Sequence, residues 1–154
     1  MSITVSDLQD RAVDVEMMTT LAGIVCEGEG VSTDTELAVV VVDADAMEEL
    51  NVAHMGKDGP TDVLAFPLET ATPGHPPTAL VDGPPLALGD VYICPDVVAA
   101  NAAEAGVRFE DEMALMVVHG ILHLLGYDHV EDGDAALMEG REAELLALIG
   151  LARP

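Results

Sequence analysis

Glu110-Asp-Glu-Met-Ala-Leu-Met-Val-Val-His119-Gly120-Ile-Leu-His123-Leu-Leu-Gly126-Tyr-Asp-His129 is the stretch on which the reading of this chain turns. From Glu110 to Leu125 it is a continuous, nearly all-apolar run of helical length. A helix that is apolar all round has to sit inside a protein, so this one is expected at the centre of the fold. One turn takes ~3.6 residues, which puts His119 and His123 on the same face, one above the other. Gly126 stands where the helix would end, because glycine accepts the left-handed backbone that closes a last turn. The chain can then fold back and bring His129 toward the other two. Three neutral imidazoles converging on one point form a ready Zn²⁺ site, with the fourth position left for water. The same donor set also suits Ni²⁺, Co²⁺ or Fe²⁺. A closed structural zinc site needs a fourth protein ligand. Asp128, as the direct neighbour of His129, is expected to point elsewhere.

The spacing of the three histidines and the glycine matches the metzincin peptidase pattern H-E-x-x-H-x-x-G-x-x-H. One element is missing. The second position of that pattern is the glutamate that serves as general base in proteolysis, and here it is Gly120. Any one of these histidines, taken alone, reads more simply as a core or capping residue. Three at this spacing, with the glycine in register, point to a metal centre instead.

Working outward, the pattern alternates strands and helices. Ile3–Val5 reads as a short strand, and Ser6 followed by Gln9 has the form of a capping box, opening a helix from Asp7 to Glu27. Leu37–Val42 is a β-branched run suited to a buried strand. Asp43 can cap a helix over Ala44–His54, and Thr61–Phe66 reads as another strand. Glu69–Leu86 holds Pro73, Pro76, Pro77, Pro84 and Pro85 and has no periodicity. So long a loop in a small domain is usually functional or mobile, and His75 within it is expected in solvent. Leu88–Cys94 is a strand, Pro95 suits the first turn of a helix reaching Ala105, and Asp134–Ile149 is an amphipathic closing helix. The expected fold is α+β: one domain over residues 1–154, a small mixed sheet packed by about five helices around the central apolar helix.

Composition sets further bounds. The chain has 154 residues, half of them hydrophobic, with no tryptophan and two each of Phe and Tyr. The N-terminal Met-Ser-Ile-Thr-Val-Ser-Asp lacks the basic-then-apolar pattern of a signal peptide. The apolar stretch from Met113 to Gly126 is too short to span a bilayer. A cytoplasmic protein with no membrane partner is expected, and Cys26 and Cys94 are expected as free buried thiols. Five Lys and Arg against 29 Asp and Glu give a net charge of −24. That fits poorly with nucleic-acid binding, which normally draws on Lys and Arg displacing counterions. Either the host cytoplasm is salty enough to screen the repulsion, or any such polyanion would have to be held through the metal centre and a local patch, helped by a basic partner.

The chain resembles the bacterial YbeY family of endoribonucleases, whose signature H-G-x-L-H-L-x-G-Y-D-H is matched at every fixed letter from His119 to His129. The segment Gly59-Pro-Thr-Asp-Val-Leu-Ala-Phe-Pro67 is similar to the family's P-T-[ND]-V-L-S-F-P block, and Leu88-Gly-Asp-Val-Tyr-Ile-Cys94 to its L-G-D-[IV]-x-[IL]-[CS] block. The resemblance implies a zinc-dependent, single-strand-specific endoribonuclease acting in 16S rRNA 3′-end maturation and ribosome quality control. It carries His119, His123 and His129 over as metal ligands. Implied partners are rRNA in the small subunit and ribosomal proteins, with no DNA. One departure concerns L-N-x-x-[YF]-R-G-K-D, where many members place a phosphate-contacting arginine; here Met55 takes its position. Methionine cannot make the bidentate contact of a guanidinium, so either Lys57, the only lysine and the candidate substrate-binding residue, serves as a point charge, or phosphate is held by backbone amides and the metal, or activity is weak.

Beyond the metal-bound water, no catalytic group is assigned. Zinc brings the pKa of such a water to ~7, and RNA carries its own potential nucleophile in the 2′-hydroxyl. Asp90 and Asp128 are candidates for orienting water or a ligand imidazole. Two other functions stay open: a metallopeptidase with an unorthodox base, and a ribosome assembly factor whose metal is structural.

Overall fold

The computed structural model describes all residues from Met1 to Pro154. In chain order the elements are β1 (Ser2–Asp7), α1 (Val15–Gly28), β2 (Thr35–Val41), α2 (Ala44–Met55), β3 (Val63–Pro67), β4 (Leu86–Ile93), α3 (Pro95–Ala105), α4 (Phe109–Leu124) and α5 (Asp132–Ala147). The strands form one mixed sheet in the order β1-β2-β4-β3. β1, β2 and β4 run parallel, and β3 closes one edge antiparallel to β4. This is the α+β architecture expected, with four strands and five helices. No helix is long and apolar enough to cross a membrane.

Helix α4 is the centre of the molecule. Met113 to Val118, Gly120 to Leu122 and Leu124 are all buried, and the helix packs on β3, β4, α1, α3 and α5. Each aliphatic side chain fully buried in this way contributes ~1.5–3 kcal/mol, so α4 anchors the whole core. Strand β2 shows the period-two logic of a sheet covered on both sides. Leu37, Val39 and Val41 face the main core, while Val40 joins a second cluster in which Met47 of α2 meets Val42, Leu64 and Cys94. In β4 a bulge interrupts that period. Glu36 pairs with Ala87 but Leu37 pairs with Gly89, leaving Leu88 as an extra residue. The insertion shifts the facing by one, so Leu88, Val91 and Ile93 all reach the same core.

The first helix differs from expectation. Ser6 and Asp7 do not open it; they end β1, which pairs along its length with Glu36–Val41 of β2. Asp7 caps a turn by accepting from Gln9 Nε2 at 2.8 Å, and α1 begins only at Val15, with Asp14 accepting from Met17 N at 2.9 Å. A local cap is worth ~1 kcal/mol, less than a full strand ladder with Ile3 and Val5 packed on the core. Asp43 does cap α2, accepting from Ala46 N at 2.9 Å. The proline-rich segment holds no helix or strand before β4 begins at Leu86, and His75 is exposed. Cys26 and Cys94 are free and buried.

Candidate metal centre

Two residues of α4 and one from the turn that follows build the site. α4 ends through a paired hydrogen bond: Gly126 N donates to His123 O at 3.1 Å, and Tyr127 N donates to Leu122 O at 3.0 Å. That closure requires left-handed backbone at Gly126, whose φ is +94°, and it satisfies carbonyls the helix would otherwise leave open. Gly126 is doubly constrained, since a Cβ there would meet the backbone oxygen of Ala71 at 2.2 Å. The chain then reverses, and Asp128 caps the bend by accepting from His129 N at 2.7 Å. His119, His123 and His129 come together with one nitrogen from each within 4.8 Å of the others. The ring centroids are 4.5, 5.2 and 5.0 Å apart.

The hydrogen bonds on the far side of two rings decide their chemistry. His123 Nδ1 lies 2.9 Å from the carbonyl oxygen of Tyr127, and His119 Nδ1 lies 2.7 Å from Glu142 Oε2. Both oxygens accept, so both Nδ1 atoms carry the hydrogen, and in the neutral rings both Nε2 atoms present lone pairs. Those two Nε2 atoms face each other at 3.0 Å. In that neutral form lone pairs at such a distance repel and would be stabilised around a shared cation. A tetrahedral Zn²⁺ with bonds of ~2.0–2.1 Å would hold its nitrogens ~3.3 Å apart, so the donor set fits such an ion. Burial first, and then the neighbouring His119, lower the pKa of His123 against the pull of the Tyr127 carbonyl. The neutral, metal-binding form of the ring is thereby favoured.

Glu142 is the residue that sequence reasoning missed. It is 1% exposed on α5 and shares the buried stripe of Met138, Leu145 and Leu146. Arg153 Nε donates to its other oxygen at 3.0 Å. Burial is the largest single influence on its pKa and pushes it up, but the hydrogen bonds from His119 and Arg153 outweigh burial and hold Glu142 below the usual carboxylate range. A carboxylate behind a ligating histidine fixes the ring and raises its basicity. The signal was present: a charged residue on the apolar stripe of an amphipathic helix needs a buried partner. Asp90 does not fill the orienting role; it lies beside Ser2, Thr4 and Leu68, away from the imidazoles. Asp128 serves its own turn.

The imidazoles open on a cleft of ≈ 520 Å³ whose walls include Met55, Lys57, Asp62, Glu112 and Arg153. Lys57 is therefore brought to the site. Its loop is pinned by Asn51, whose Nδ2 donates to Gly59 O at 2.9 Å and whose carbonyl accepts from Lys57 N at 3.4 Å. Glu112 sits two turns before His119, and burial, followed by the nearby Asp62, raises its pKa. Gly120 faces away from the cleft. A Cβ there would lie 2.4 Å from Val91 Cγ1 and 3.2 Å from Val63 Cγ2, so the position where peptidases keep a glutamate is packed against the sheet.

Known proteins resemble this chain along nearly its whole length. The family model of Endoribonuclease YbeY matches residues 4–150. A protein of Salinispora tropica named Endoribonuclease YbeY is 43% identical over 149 residues, spanning 96% of this chain and 95% of its own. One of the same name from Leifsonia xyli is 41% identical and covers 99% of this chain and 97% of its own. The solution structure of a Thermotoga maritima protein superposes with a TM-score of 0.61 at 30% identity, over 94% of this chain and 86% of that one.

Proposed function

Because the chain belongs to the Endoribonuclease YbeY family, we propose that it is a zinc-dependent, single-strand-specific endoribonuclease acting in 16S rRNA 3′-end maturation and ribosome quality control. His119, His123 and His129 are the metal ligands, and Lys57 is a substrate-binding residue. The single observation that carries this reading is the convergence of the three imidazoles, one nitrogen of each within 4.8 Å of the others, with Nδ1 of both His119 and His123 already bonded. Where sequence left the peptidase open, the packing of Gly120 on Val91 speaks against it.

A divalent ion held there supplies Lewis acidity toward a phosphodiester oxygen and acidifies water at neutral pH. The chain's own residues do the rest. Glu142 and the Tyr127 carbonyl keep two rings in the tautomer that points Nε2 into the cleft. Lys57 places an ammonium among walls otherwise rich in carboxylates. A phosphodiester whose leaving group is an alkoxide tolerates the lack of a carboxylate at position 120 better than an amide does.

Elemental analysis of the purified protein, followed by cleavage of an rRNA 3′ precursor, tests the proposal. Chelation should abolish cleavage and zinc should restore it, and His123→Ala should fold yet leave the precursor uncut. Cleavage by the His123→Ala protein at the wild-type rate would sink the reading. A 2′-deoxy nucleotide at the scissile position separates attack by water from attack by the 2′-hydroxyl: an unchanged rate leaves water as the nucleophile.

A further inference from the structure

We propose that Arg153 is a substrate-contacting residue, its guanidinium receiving an RNA phosphate in the metal cleft with Lys57 as the second cation. The inference rests on the ribonuclease reading and adds to it a residue outside the motifs that suggested it. Of the five basic residues, Arg11 is bound to Asp96, Arg141 to Glu29 and Glu144, and Arg108 lies 3.8 Å from Glu110. None of those three lines the cleft; Lys57 and Arg153 do.

The fold delivers Arg153 there by a defined turn. After α5, Gly150 N donates to Ala147 O and Leu151 N to Leu146 O, both at 3.1 Å. Leu151 packs on the main core, and the chain turns back so that Arg153 meets residues of the helix it has just left. The guanidinium is gripped at one atom: Nε donates to the buried Glu142 at 3.0 Å. The two Nη atoms have only long contacts, 3.7 Å to Glu139 Oε1 and 3.5 Å to Pro154 O. Both exceed the normal range for N–H···O hydrogen bonds. A phosphate oxygen at ~2.7–2.9 Å would displace them. The side chain is 33% exposed, so a ligand can reach it. A counter-ion for Glu142 alone would need one donor; the planar fork brings further donors matched to two phosphate oxygens. Met55, in the same cleft and 52% exposed, offers no donor of any kind.

Two variants of the full chain, loaded with zinc, test this. Arg153→Gln keeps an N–H for Glu142 and removes the charge; Arg153→Lys keeps the charge and removes the fork. The readouts are KM for a single-stranded oligoribonucleotide, the salt dependence of its binding, and zinc affinity by chelator competition. Arg153→Gln should raise KM about 10-fold and flatten the slope of log K against log salt by ~0.7, with zinc affinity falling by less than the ~10-fold that loss of a ligand's direct partner costs. Arg153→Lys should keep the wild-type slope and recover part of the KM. A wild-type KM and slope in Arg153→Gln overturns the proposal while the ribonuclease reading stands. Loss of zinc affinity with KM unchanged overturns it too, leaving Arg153 only as a support for Glu142. A wild-type protein that neither binds nor cuts RNA overturns both. Should Arg153→Gln fail to fold, an unchanged KM in Arg153→Lys is enough to reject the bidentate contact.

Discussion

At the scale of single residues, Glu142 is the group whose removal has the most specific consequence. Its Oε2 holds His119 Nδ1 at 2.7 Å, so Glu142→Gln should weaken metal binding about 10- to 100-fold while the fold persists; chelator competition measures it. Unchanged affinity would mean that the imidazole is oriented by packing alone. Cys26 provides a pH prediction. Burial, followed by the Glu29 charge, pushes its thiol from 9.0 up to about 11. The folded pKa is the higher one, so this contribution is full below about pH 9 and is lost as pH rises toward 11. Cys26→Ala should remove about 1 kcal/mol of the stability decline between about pH 8 and about pH 10, read by urea unfolding. Of the site itself, the three histidines and Gly126 were legible because they share one short segment and helical geometry relates them directly. Glu142 and Arg153 were not. Glu142 reaches His119 through the packing of α5 on α4, and Arg153 reaches Glu142 through the turn at Gly150; no local period encodes such contacts.

At the scale of elements, the seat of α4 on the sheet depends on a missing side chain. Gly120→Ala would set a Cβ 2.4 Å from Val91 Cγ1. Overpacking of this kind costs ~1–3 kcal/mol, set against up to ~1 kcal/mol gained in helix propensity. We expect net destabilisation by denaturant titration, and partial recovery in Gly120→Ala/Val91→Ala, where the clashing methyl is gone. Strict additivity of the two single variants would argue that they do not touch. Strands and helices with strong periods, such as β2 and α4, were legible nearly to their ends. The start of α1 was not, because Ser6 and Gln9 imitate a cap in a segment that the β1–β2 ladder recruits as strand. The bulge at Leu88 was equally hidden: the run Leu88–Cys94 reads as a strand whichever residue is extra.

At the scale of the whole molecule, a net charge of −24 on 154 residues governs the response to salt. Self-repulsion of the acidic surface destabilises the compact state, and at 1 M salt it is screened within ~3 Å. The thermal midpoint should therefore rise from low to molar salt; a flat or falling midpoint would show that the carboxylates are too far apart to matter. The α+β class was legible from alternating patterns, but the strand order β1-β2-β4-β3 was not. Nothing in the composition of β3 says that the long proline-rich segment returns the chain beside it as an antiparallel neighbour.

That segment also lies against the histidine turn, for a Cβ on Gly126 would strike the oxygen of Ala71 and come within 2.8 Å of Thr72 Cα. His119 and His123 stand on a buried helix, whereas His129 is exposed on the bend that follows Gly126, the residue this strap meets. A protease nick between Leu68 and Leu86 should then loosen the turn at Gly126, which precedes the third ring, before it disturbs the helical pair. Backbone outside the histidines' own segment would in this way bear on how firmly the three rings stay together.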